Sequence, residues 1–198
     1  MAWNELGRDA EVDNKVVRDR WISVYIGVVA VALAICAMGG GNATKDSTRY
    51  NIEATNGWAF FQAKNLRRNA LVLSLDELEL ALKANPSFPA EAKALYEEKI
   101  KTRKADIARL TSDPVAKEGL DEIWKKNKSL EEQRDFSLRR DPYFDYGQAF
   151  LQIAIVIASV ALISSGNILL IFSAVCGLLG ALCTLNGFFL VLKIPFIE

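Results

Sequence analysis

"WISVYIGVVAVALAICAMG", residues 21–39, runs for nineteen residues without a charge. As an α-helix rising about 1.5 Å per residue, that is enough to cross a hydrocarbon core of about 30 Å. A cleaved signal shares the pattern of an apolar run behind a polar N-terminus, so the two readings separate on the flanks. The preceding segment carries Glu5, Asp9, Glu11, Asp13 and Asp19, and no small-x-small cleavage site ends the run. "LAIC", residues 33–36, has the outline of a lipoprotein box but places isoleucine before the cysteine, where a small residue is required. An uncleaved anchor is expected.

Two further apolar runs, 147–165 and 168–192, read the same way. Only Gly166 and Asn167, within "SSGN" at 164–167, separate them, which predicts a tight transmembrane hairpin with a turn of favourable composition. The expected layout is all-α: a polar tail over 1–20, spans over 21–39, 147–165 and 168–192, and a helical, coiled-coil-like insertion over 40–146.

Composition narrows the chemistry. Hydrophobic residues make up 51% of the chain, and 24 cations balance 24 anions, so net charge supplies no reason to expect an anionic partner. Histidine is absent, which removes the commonest metal ligand and the usual acid–base group near neutral pH. Cys36, Cys176 and Cys183 each lie inside an apolar run, without CxxC spacing, as small buried hydrophobes do. No nucleophile–base pair, phosphate loop or metal cluster stands out, so no catalytic residue, cofactor or metal is expected. Asp141 and Asp145 read as a helix-start cluster.

Small residues recur at steps of three and four within the spans: Ser23, Gly27, Ala30, Ala34 and Ala37; then Ala154, Ala158, Ala161 and Ser165; then Ser173, Gly177, Gly180, Thr184 and Gly187. Lipid tails give no hydrophobic drive between helices, so such stripes hold bundles together by close backbone approach. Spans one and two are expected to cross through their stripes. Gln152 and Asn186 are the main polar groups inside the spans and are expected to bond between helices. No Asp, Glu, Lys, Arg or His falls in the span cores, which argues against a pump or coupled transporter.

Between spans one and two, "NPSFP" at 85–89 and "DP" at 113–114 and 141–142 mark helix boundaries, and "SLDE" at 74–77 has the form of a capping box. Helices are expected over roughly 47–72, 75–84, 89–111 and 114–140. A strand over "LVLSL", 71–75, is the weaker alternative, because helical patterns flank it. Heptad steps link Tyr96, Ile100, Arg103, Ile107 and Leu110, and again Ala116, Leu120, Ile123, Asn127, Leu130 and Arg134. The first and last helices are expected to pair antiparallel as a stalk, with the middle two as a distal lobe.

"NGWAFFQAKNLRRN", 56–69, interleaves aromatics with cations. The nearby helices are as acidic as basic and carry no recognised binding motif, so a nucleic-acid site is not expected. Trp58 lies nineteen residues past the first span, about 28 Å along a continuous helix, too far for an interfacial belt. Trp58, Phe61 and Asn65 share one helical face and read as a contact surface, either for the returning helix at Leu130 and Arg134 or for another subunit. Counting outward from the spans places Trp58 opposite Leu130, with Arg134 in reach of its ring.

"WAFFQAK" at 58–64, "RRDPYFDYGQAFLQIAIVIAS" at 139–159 and a last span ending "NGFF" resemble a bacterial family of small membrane proteins classed as a domain of unknown function. The resemblance covers most of the chain from the first span onward. It implies three spans with a long helical insertion and no established activity. In that family the turn between spans two and three often carries basic residues, from which "SSGN" departs.

The function expected from these readings is non-enzymatic. The chain reads as a multi-pass protein of the bacterial inner membrane, a structural or accessory subunit that contacts lipid and binds other membrane subunits or itself. Lys15, Arg18 and Arg20 before the first span favour a cytoplasmic N-terminus and a periplasmic stalk. The alternative is a homo-oligomeric channel or a sensor, with the glycines and Asn186 of span three lining a pore or hinge.

Overall fold

The structure, a computed structural model, describes residues 2–164 and 167–192, with side chains from residue 15 onward. Its described residues form four helices and no strand: α1 Ala2–Ala84, α2 Ala90–Thr111, α3 Leu120–Ser164 and α4 Asn167–Phe189. α1, α3 and α4 each contain a window long and apolar enough to cross a membrane, and only 22–28% of each window is buried inside the protein. Apolar surface on that scale needs a lipid or protein cover. Of the expected hairpin turn at Gly166 and Asn167, Gly166 lies outside the described residues, as does Ser165 before it, and Asn167 is the first residue of α4.

Three expected boundaries are absent. α1 continues for 83 residues through Gly39–Gly41 and through the "SLDE" capping box, so no helix starts at 47 or 75. A capping residue begins a helix only where the preceding turn is broken, and serine inside a helix costs well under 1 kcal/mol. Pro142 likewise sits inside α3. It removes one intrahelical hydrogen bond, typically a loss of about 3 kcal/mol. The adjacent Tyr143 and Phe144, almost fully buried, offset that loss through packing.

The "NPSFP" boundary is real: α1 ends at Ala84, and Pro89 stands at the N-cap of α2. At "DP" 113–114 the chain makes a single turn before α3 begins at Leu120, six residues later than expected. Asp113 caps the Ala116 N–H at 3.0 Å, and its carbonyl accepts from Lys117 N at 2.7 Å. Lys117 then takes a left-handed φ of 56°, which ends the turn.

The chain divides into two compact units. Unit one comprises residues up to Ser47 and from Asp135 on, and unit two comprises Thr48–Arg134. In unit one, α1 buries Ile22, Val29, Cys36 and Ala43, seven residues apart, and the last three pack with Phe144, Leu151 and Ala154 of α3 and Cys176 of α4. In unit two, the α2 heptad residues Tyr96, Ile100, Arg103, Ile107 and Leu110 are all half-buried. On α3 the series Leu120, Ile123, Asn127 and Leu130 is buried, while Ala116, before the helix, is exposed. Glu79 of α1 pairs with Lys104 of α2 at 2.7 Å, and that hydrogen bond holds the carboxyl below its ordinary range.

Candidate functional site

In unit two, the aromatic stretch faces α3. Trp58 Nε1 donates to Glu131 Oε1 at 2.8 Å, and Phe61 meets the indole edge-on with centroids 5.5 Å apart. Lys128 Nζ bonds Glu131 Oε2 at 2.8 Å and stands 5.8 Å from the indole centroid. Lys128 first, and the indole N–H second, keep the Glu131 carboxyl below its usual range. The cation at the Trp58 ring is therefore Lys128 and not Arg134, whose Nη1 instead donates to Asn51 Oδ1 at 3.5 Å. Arg134 lies six residues beyond Lys128 along α3. Leu130 is buried on the same helix, and Asn65 is half-buried.

Sequence reading passed over a close approach in this unit. A Cβ on Gly57 would strike the Asn127 side chain, so only glycine lets α3 come this near. Asn127 is 1% exposed, and its Nδ2 finds no hydrogen-bond partner among the described residues. The signal was present as a glycine inside a helical run facing a polar residue in a heptad core. Lys64 keeps its side chain only 15% exposed and donates to the Glu118 carbonyl.

In unit one, the three small-residue stripes have different fates. On α4, Ser173, Gly177, Gly180, Thr184 and Gly187 are all buried, and on α3 so are Ala154, Ala158 and Ala161. α3 and α4 approach closely at two glycines. A Cβ on Gly180 would lie 3.0 Å from both Gly147 O and Leu151 N, and one on Gly147 would lie 3.2 Å from Gly180 O. The α1 stripe, by contrast, is exposed at Ser23, Gly27, Ala30, Ala34 and Ala37. Spans one and two do not cross through it. The face α1 packs is one residue, or about 100°, around the helix.

Phe144 explains that choice. Its ring covers Gly39, Gly40 and Gly187 and meets Phe188 edge-on at 5.0 Å. Cys36 Sγ donates to the Phe144 carbonyl at 3.2 Å. Gly39 and Gly40 thus serve close approach, not a helix break.

Polar links in the bundle also differ from expectation. Tyr25 Oη donates to Ser173 O at 3.0 Å, and Ser173 Oγ donates to Ala154 O at 2.6 Å, joining α1, α4 and α3. Gln152 is exposed. Among the described residues Asn186 bonds no other helix: its amide takes both backbone groups of Leu192 at 2.8 Å, closing the end of its own helix after the left-handed Leu190. Arg140 Nε and Tyr143 Oη reinforce that end by donating to Gly187 O and Leu192 O.

The chain matches the family described as Domain of unknown function (DUF4337) over residues 18–190, and it belongs to that family. No curated protein and no solved structure matches it.

Proposed function

We propose that this family member is a multi-pass protein of a bacterial inner membrane that works as a structural or accessory subunit, not as an enzyme, and assembles with itself or with another membrane protein. The observation that carries the reading is the exposed α1 face of Ser23, Gly27, Ala30, Ala34 and Ala37. In lipid, a face of small side chains gains most from another helix, whose backbone it admits closely. The channel alternative draws no support from Gly177 and Gly180, which lie against Tyr25, Ala154 and Leu151 of the same chain.

Two leucine substitutions separate assembly from folding. Ala30→Leu should leave the bundle intact but shift the assembly to smaller species by light scattering in mild detergent. Ala158→Leu, at a site with no exposed surface, should instead overpack the bundle and lower its stability by about 1–3 kcal/mol. If Ala30→Leu assembles like the parent protein, this face does not carry the association.

The proposed orientation, N-terminus inside, rests on Lys15, Arg18 and Arg20. A cysteine at position 104 (K104C) should react with a membrane-impermeant thiol reagent on cells whose outer membrane alone has been opened. The native thiols give little background, since Cys36 and Cys176 are buried and Cys183 is half-buried. Labelling only after the inner membrane is breached would reverse the orientation.

A further inference from the structure

Unit two contains a cavity of about 190 Å³ between α1, α2 and the 112–119 turn. Lys64 and Arg67 reach it from α1, and Arg103 and Arg109 from α2. Lys64 is engaged by Glu118 at 3.7 Å. Arg67, Arg103 and Arg109 have no carboxylate within ion-pair distance among the described residues. Two further carboxylates line the space, Asp106 and Asp113, and the latter is occupied in capping Ala116.

The floor of the cavity is held in place. Glu122 accepts from Ser112 Oγ at 2.8 Å and from Asp113 N at 3.1 Å, and these bonds keep its carboxyl below the ordinary range. Lys64 fastens the far end of the same turn through the Glu118 carbonyl. A turn tied at both ends spends little ordering entropy when something binds against it.

We infer that this cavity is an oxyanion site that takes a doubly charged phosphate group, free or carried on a small molecule. One guanidinium fork already satisfies the two oxygens of a carboxylate, whereas a phosphate group offers three acceptor oxygens and nearly two charges to three forks. The volume equals that of about six waters, which suits a phosphate with a small substituent and is below the size of a drug-like ligand. Asp106 stands among the arginines as the opposing charge and sets a limit on affinity.

The test is isothermal titration of the whole protein in mild detergent with inorganic phosphate, glycerol phosphate and succinate. Ionic strength is held constant, because exposed charges are screened over about 10 Å at 0.1 M salt. Saturable binding of either phosphate, tighter than succinate, is expected, and the tighter of the two identifies the source. Arg67→Gln and Arg103→Gln should each weaken binding about tenfold, the scale of one charge-assisted hydrogen bond. Arg68→Gln, whose side chain donates to Asn69 outside the cavity, should leave it unchanged. Asp106→Asn should tighten binding several-fold, a gain that misfolding cannot mimic. Heat that sodium chloride reproduces, succinate binding as tightly as phosphate, or indifference to Arg103→Gln and Asp106→Asn would each overturn the site.

Discussion

Gly180→Leu is expected to collapse the packing of unit one, with a stability loss above about 3 kcal/mol, the upper end of overpacking costs. The reason is what a side chain would meet. Beyond the Leu151 side chain at 2.7 Å lie two backbone atoms at 3.0 Å, Gly147 O and Leu151 N, and neither can move without displacing α3. Glycine elsewhere in the same unit behaves oppositely. Gly41 has nothing within 4 Å of a built Cβ, so Gly41→Ala should be neutral or stabilise α1 by up to about 1 kcal/mol through helix propensity. Thermal unfolding of the two variants in one detergent compares them directly. Equal behaviour would mean that α3 and α4 do not meet at Gly147 and Gly180.

Trp58→Ala should cost unit two about 3 kcal/mol, the low end for aromatic truncation because the ring is half-buried. The indole links α1 to α3 in two ways, by its N–H to Glu131 and by its face near Lys128, while Phe61 of its own helix meets the ring edge-on. Amide exchange should therefore accelerate over 120–134, while the 22–43 amides of unit one keep their protection. Unchanged exchange over 120–134 would show that the pairing of α1 with α3 rests on Asn127 at Gly57 instead.

Both predictions turn on contacts that were only partly legible in the chain. Antiparallel counting placed Trp58 beside the Leu130 turn, and the hydrogen bond to Glu131 falls there. Its error over Arg134 was a choice among cations six residues apart on one helix, which length alone does not resolve. On α3 and α4 the small-residue stripes identified the packed faces. On α1 the same rule picked the wrong face, because Ser23–Ala37 and Ile22–Ala43 share one period and differ only by a one-residue offset.

The amino-acid sequence by itself determined where the apolar windows lie, that every described element is helical, that the chain breaks at "NPSFP", and which periods run along each helix. These follow from local quantities: uncharged length, side-chain spacing, and a proline pair with no helical alternative. Tertiary structure alone decided that Gly39–Gly41, Ser74 and Pro142 lie inside helices and that α1 turns Cys36 and Gly40, not Ala30 and Ala34, toward its neighbours. Local signals of this kind are worth about 1–3 kcal/mol each, a scale that burying one ring such as Phe144 can match. A periodic face, moreover, has no inward direction until a partner surface exists to define it.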